Sequence, residues 1–185
     1  SGPLLVRNQA LTIHDLSPLE HPEWFNRRYS TWYRLLLPTL AKRVRVVFTP
    51  SEHVKQKVLN RFGAKDVIVT PNGVDDSFFH PNAKQTIFES PQKYILFVGS
   101  IQPRKNIQAL LQAWHQIEDE FGDIWLVLAG NAGRVFRTVK FFGAERVRFL
   151  NDVADEDLPG LYASAELFVL PSLDEGFGLP ALEAM

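Results

Sequence analysis

The sequence predicts an α/β protein whose strands form parallel sheets. Three observations carry this. Short apolar runs of strand length alternate with stretches whose apolar residues recur at helical spacing, which is the pattern of βαβ units. The alternation stops over residues 71–93, which are rich in Pro, Asn, Asp and Ser, and then starts again. The chain has 185 residues, 45% hydrophobic and 22% charged. That is enough to bury a core and fits one large domain or parts of two.

In the first half, residues 11–13 (LTI) read as the end of a strand and residues 44–49 (VRVVFT) as a buried strand. Ser51 is placed to cap the next helix, Val54, Val58 and Phe62 share one face of it, and Gly63 is a natural stop. Residues 66–70 (DVIVT) form the following strand, and residues 71–93 a linker with the domain boundary near 85. In the second half, residues 94–98 (YILFV) are a strand. Residues 106–121 are a helix with Ile107, Leu110, Leu111, Trp114, Ile117 and Phe121 on one stripe. Residues 125–129 (WLVLA) are a strand ending at Gly130, and residues 146–150 are another. Asp155 is expected to cap a short helix reaching Tyr162, residues 166–170 (ELFVL) form a strand, and Pro180 opens a helix in its first turn.

Composition excludes several classes. The 20 basic and 21 acidic side chains leave a formal charge of −1, which gives no support to a nucleic-acid binder. The absence of cysteine removes disulfides, thiolate metal sites and a cysteine nucleophile, and fits a reducing compartment. No apolar run approaches the roughly 18 residues of a membrane-spanning helix. Ser1-Gly2-Pro3 lacks the basic-then-apolar pattern of a secretory leader. The first βα unit is incomplete and the last helix has barely begun, so the expectation is a polypeptide cut at both ends.

Parallel α/β folds bind ligands at the carboxyl ends of their strands, which singles out three loops. In residues 99–106 (GSIQPRKN), Gly99 lets the backbone approach a ligand, and Arg104 and Lys105 precede a helix N-terminus. This suits a diphosphate; the other reading is a solvated basic pair. In residues 174–180 (DEGFGLP), Gly176 and Gly178 expose backbone N–H groups, Glu175 sits in the loop, and Glu183 follows eight residues later. Glu183 either accepts hydrogen bonds from two vicinal sugar hydroxyls or is favoured by the helix dipole. Residues 151–153 (NDV) offer backbone groups beside a nucleobase, or an ordinary connection. His14-Asp15 follow the first strand, where a histidine is either structural or functional. Residues 71–75 (PNGVD) read as a turn.

Taken together, EGFGLPALE (175–183), PRKN (103–106), PNGVD (71–75), FVGS (97–100) and IHDLSPLEHPEWF (13–25) resemble family 4 of the GT-B glycosyltransferases, with its E-x7-E signature. The resemblance covers nearly the whole chain, with the motifs in the family's order. It is nearest to bacterial mannosyltransferases of O-antigen and exopolysaccharide synthesis. It implies parts of two Rossmann-like domains: residues 1–85 from the acceptor-side domain plus linker, residues 86–185 from the donor domain. It implies a retaining, metal-independent transfer of a hexose, best taken as mannose, from a nucleotide-diphosphate sugar such as GDP-mannose to a glycan or lipid-linked acceptor. No cofactor is implied. Arg104 and Lys105 would hold the diphosphate, with Gly99 and the Gly176, Phe177, Gly178 and Leu179 backbone around it. Glu175 would lie by the donor sugar and His14 would contact it from the other domain. Glu183 would bind the ribose and Val153 would sit by the base. One departure is the stretch 131–146, which is shorter and more basic than the family's helical excursion there.

Residues 24–45 hold Arg27, Arg28, Arg34, Lys42, Arg43 and Arg45 with Trp24, Phe25, Trp32 and Tyr33, and no acidic residue. This suits peripheral contact with an anionic membrane, at the inner face of a cytoplasmic membrane; the other reading is a packed helix with a solvated basic face. A non-catalytic nucleotide-sugar-binding module of the same fold is the alternative to an enzyme. Glu175, Arg104 and Lys105, whose loss would mark an inactive relative, are all present. No Tyr-x-x-x-Lys pair of a nucleotide-sugar epimerase occurs.

Overall fold

The computed structural model describes residues 8–79, 93–131 and 145–185. The boundary expected near 85 and nearly all of the stretch 131–146 lie outside the described residues. The chain forms two compact units, one of residues 1–73 with 174–177, the other of residues 74–173 with 178–185.

The first unit contains a parallel sheet of β1 (Ala10–Thr12), β2 (Val46–Thr49) and β3 (Val67–Val69), in that order. The register sets Thr12 beside Phe48 and Thr49 beside Val69, so the residues following the three strands emerge along one edge. Helices α1 (Ser17–Glu20), α2 (Arg27–Arg43) and α3 (Glu52–Phe62) complete the unit. Ser51 caps α3 by accepting the Val54 N–H at 3.3 Å, and Gly63 ends it at φ 59°. The expected face of α3 is the buried one: Val54, Val58 and Phe62 join Ile13, Leu16, Leu37 and Val47 in one core. Helix α2 runs through Pro38, whose ring removes one backbone donor.

The second unit holds a parallel sheet in the order β6 (Val147–Leu150), β5 (Ile124–Ala129), β4 (Lys93–Val98), β7 (Leu167–Phe168). Successive strands step one way from β4 to β6, and β7 returns to the opposite side of β4. The order therefore reverses between β4 and β7. Both faces are covered, as in most parallel sheets. Tyr94, Leu96, Val98, Val127 and Ala129 pack with Leu161 and Tyr162 of α5 (Leu158–Ala163). Phe97, Leu126 and Leu128 pack on the other side with Ile107, Leu111 and Trp114 of α4 (Ile107–Ile117). The alternation of burial along β4 and β5 follows from the two-residue repeat of a strand.

Three expectations are corrected. Helix α4 stops at Ile117, four residues early, and Ile117 and Phe121 are exposed. The Glu118 carbonyl accepts the guanidinium of Arg146, and Glu120 and Phe121 turn back in three-residue steps instead of continuing the helix. Asp155 does not cap α5. The helix begins at Leu158 behind Asp157 because Pro159 is tolerated only in a first turn. Strand β7 pairs only through Ile95 and Leu96, shorter than the expected 166–170. The last helix, α6 (Leu179–Glu183), carries Pro180 in its first turn as expected.

Candidate functional site

In the second unit the register makes Val98, Ala129 and Leu150 level, so Gly99, Gly130 and Asn151 share the carboxyl edge. Gly99 N–H donates to the Ala129 carbonyl and Gly130 N–H to that of Leu150, both at 2.9 Å. A Cβ on Gly130 would lie 2.0 Å from the Gly99 carbonyl oxygen. The two loops therefore meet backbone to backbone, and only a glycine fits at 130. At Gly99 (φ 151°) a Cβ would reach the Lys105 Cε at 3.4 Å and its Nζ at 3.7 Å. Lys105, 5% exposed, thus packs directly over the Gly99 backbone.

Arg104 and Lys105 lie in a 3₁₀ turn of Pro103–Lys105, and α4 starts behind Asn106 at φ 54°. The Arg104 carbonyl accepts the Leu173 N–H at 2.9 Å, and Asn106 Nδ2 donates to the Pro171 carbonyl at 3.2 Å. The basic turn is thereby fastened to the loop after β7. This happens beside the reversal of strand order, where open α/β sheets take their ligands. Gly178, at φ 83°, opens α6, and its carbonyl accepts from Ala181 and Leu182. Glu183 accepts the Tyr162 hydroxyl on Oε2 at 2.8 Å. Burial first, and that carboxylate second, push the Tyr162 phenol far above its ordinary value. Val153 packs on the same core cluster as Tyr162.

In the first unit, residues 174–177 lie against the loop after β1 and the start of α3. A Cβ on Gly176 would fall 2.1 Å from the His14 carbonyl oxygen. Ser51 Oγ, besides capping α3, donates to the Gly176 carbonyl at 2.6 Å. Lys57 Nζ donates to Glu20 at 2.8 Å and to Asp174 at 2.9 Å, and Ser17 Oγ donates to Asp174 at 3.3 Å. Burial alone would raise the Asp174 carboxyl, but Lys57, His53 and Ser17 together hold it below its usual range. Burial likewise works against the Lys57 charge, and its two carboxylate partners outweigh it and hold its pKa above the ordinary lysine value. His14 is exposed and lines a cavity of 240 Å³ at the carboxyl edge, with Thr12, Phe48, Thr70, Pro71 and Asn72.

A family model described as "Glycosyl transferases group 1" matches residues 79–185, and one described as "Glycosyltransferase Family 4" matches residues 4–78. The chain belongs to the group 1 glycosyl transferases. It is similar to the O-antigen chain mannosyltransferase RfbU of Salmonella typhimurium, with 30% identity over 98% of this chain and 50% of that one. It is also similar to O-antigen chain mannosyltransferase B of Escherichia coli, with 32% identity over 99% and 52%. The chain spans about half the length of these curated relatives. Among solved structures it resembles the sucrose-phosphate synthase of Thermosynechococcus elongatus, with a TM-score of 0.70, 24% identity, and coverage of 95% of this chain and 47% of that one. It also resembles the trehalose-6-phosphate synthase OtsA, with a TM-score of 0.68, 15% identity, and coverage of 97% and 50%. The fold class is that of GT-B enzymes.

Within this group 1 glycosyl transferase the expected residues divide between the two units. His14, Glu175, Gly176 and Phe177 lie in the first, and Gly99, Arg104, Lys105, Val153, Gly178, Leu179 and Glu183 in the second. The structure brings His14 to Gly176, and Gly99 to Lys105. It adds residues that the sequence did not single out: Tyr162 on Glu183, Lys57 on Asp174, and the second bond of Ser51. Lys57 is one charge among several on α3, and no spacing marks it. Asp174, the residue before Glu175, was the one visible hint.

Proposed function

We propose that this chain carries the donor site of a retaining glycosyltransferase that moves a hexose, best taken as mannose, from a nucleotide-diphosphate sugar to a glycan or lipid-linked acceptor. The observation that supports this most is the arrangement at the strand-order reversal. There Lys105 packs over the bare backbone of Gly99, and the Arg104 turn is fastened to the loop after β7. In this reading Arg104 and Lys105 take the diphosphate, and Gly178 and Leu179 add backbone groups beside it. Glu183 accepts the ribose hydroxyls and Val153 faces the base. Glu175 and His14 contact the donor sugar, and the Gly176 and Phe177 backbone serves the diphosphate. The names of the O-antigen mannosyltransferases support the choice of sugar.

In the transfer, the bond between the anomeric carbon and the phosphate oxygen breaks, and its electron pair goes to the diphosphate. Arg104 and Lys105 stabilise that charge without a metal. The acceptor hydroxyl attacks from the same face and gives its proton to the departing phosphate oxygen, so configuration is retained. The Glu175 carboxylate offsets positive charge on the sugar ring. The cavity beside His14, with the Thr12 and Thr70 hydroxyls and the Asn72 amide, offers groups suited to sugar hydroxyls.

The test is calorimetric titration of the protein with GDP, UDP and ADP in EDTA. Binding of GDP that survives EDTA is the expected result; no nucleotide binding would refute the donor site. Transfer of mannose from GDP-mannose to a lipid-linked glycan separates the enzyme from a module that only binds.

The same reading places the protein at the inner face of a cytoplasmic membrane, with residues 24–45 as the contact. The exposed face of α2 supports it. Arg28, Trp32, Leu35, Lys42 and Arg43 recur at helical spacing along one side. Trp32 is 57% and Leu35 68% exposed, while Leu37, Leu40 and Ala41 are buried on the opposite side. No helix among the described residues is long and apolar enough to cross a membrane.

A further inference from the structure

Glu183 is held by a side chain that the donor-site reading does not use. The Tyr162 hydroxyl, on α5, donates to Glu183 Oε2 at 2.8 Å. A carboxylate only accepts, so the direction of this bond is fixed. The phenol is shifted far above its ordinary value, by burial and then by Glu183, so the donor keeps its proton at any working pH.

The tyrosine ring itself is fixed. It is 9% exposed, lies 5.8 Å from the Phe78 ring edge-on and 5.5 Å from the Phe168 ring, and belongs to the core on one face of the second sheet. Val153 and Ala184, the neighbour of Glu183, pack against that same core. The residue assigned to the base and the neighbour of the residue assigned to the ribose thus pack on one core cluster, and Tyr162, part of that cluster, reaches Glu183 itself.

We propose that Tyr162 is a positioning residue that fixes the Glu183 carboxylate for the ribose hydroxyls, and so sets the preference for ribonucleotides over deoxyribonucleotides. The inference rests on the ribose role of Glu183. One lone pair of Oε2 is committed to the phenol, and the remaining acceptor positions are held in one orientation. Without the phenol the carboxylate can rotate, and its two-point match to a vicinal diol is no longer prepared in advance.

The test measures affinity for a ribonucleoside diphosphate, its 2′-deoxy form and inorganic pyrophosphate, in the parent protein and in Tyr162→Phe and Glu183→Gln. Phe keeps the ring and its packing and removes only the hydroxyl. The expected result for Tyr162→Phe is a loss of roughly tenfold to 150-fold for the ribonucleotide, in line with a bond to a charged group. A smaller loss is expected for the deoxy form, and none for pyrophosphate. The ratio of ribo to deoxy affinity should fall towards that of Glu183→Gln. An unchanged ratio would overturn the positioning role, as would an equal loss for all three ligands, which marks a general structural effect. If Glu183→Gln itself binds the ribonucleotide as the parent does, the ribose assignment fails first, and this inference falls with it.

Discussion

Gly176→Ala tests how tightly the Glu175 loop is set. An added Cβ would sit 2.1 Å from the His14 carbonyl oxygen, and real Cβ contacts do not fall below 3.0 Å. The neighbour is backbone, so no side-chain rotation relieves the clash. One segment must withdraw by about 0.9 Å. That movement stretches the 2.6 Å bond from Ser51 to the Gly176 carbonyl. Overpacking of this kind costs about 1–3 kcal/mol, and a lost hydrogen bond adds about 1 kcal/mol. At about 2–4 °C per kcal/mol for a chain of this size, the melting point should fall by roughly 5–15 °C. On the proposed role of Glu175 the larger effect is expected in transfer, because a misplacement near 1 Å at a reacting group can cost about 100-fold in rate. Gly178 is the control: its φ is 83°, but a Cβ there meets nothing within 4 Å. Gly178→Ala should lose only about 1–2 kcal/mol from left-handed strain. Thermal melts on both variants, and initial transfer rates on Gly176→Ala, decide the matter. A Gly176→Ala enzyme that transfers within twofold of the parent would refute the close-approach argument.

The remaining predictions concern charged groups and the exposed face of α2. Arg104→Ala and Lys105→Ala should each weaken diphosphate binding by about 1.5–3 kcal/mol; retained affinity in both, by calorimetry, removes the phosphate assignment. His14→Ala should lower transfer more than nucleotide affinity, and full activity would make His14 structural. For the Lys57–Asp174 pair, the lowered Asp174 carboxyl contributes stability above the ordinary carboxylate value of about 3.9 and loses it as pH falls through the folded value. The raised Lys57 contributes below about 10.4 and loses it at higher pH. Lys57→Met should therefore differ most from the parent between about pH 4 and 10 and converge with it outside, in melts taken across pH. Trp32→Ala with Leu35→Ala should abolish flotation with vesicles containing anionic lipid while leaving nucleotide affinity unchanged; flotation equal to the parent's would remove the membrane face.

What was legible in the sequence was what is local. The strands at residues 94–98 and 125–129, the Ser51 cap and the Gly63 stop rest on periodicity and single-residue conformational preference, and they appear where expected. The end of α4 was not legible, because the Glu118 carbonyl is claimed by Arg146, 28 residues away. The glycines of the candidate site were visible as glycines. Their reasons were not: Gly176 answers to the His14 carbonyl, and Gly130 to that of Gly99. Glu183 was noticed for its spacing from Glu175, whereas its partner Tyr162 read as an ordinary core aromatic.

The first unit is completed by a segment that arrives late. Lys57 reaches Asp174 across 117 residues, and Ser51 reaches Gly176 across 125. A ribosome adding about 5–20 residues per second needs roughly 6–23 s to cover the first of those intervals. During synthesis the nascent first unit therefore waits with Lys57 facing Glu20 alone and the Ser51 hydroxyl turned only to its own helix. Translation speed over residues 74–173 thus sets how long that unfinished surface is open to other chains, and slow codons there lengthen the exposure without changing a single amino acid.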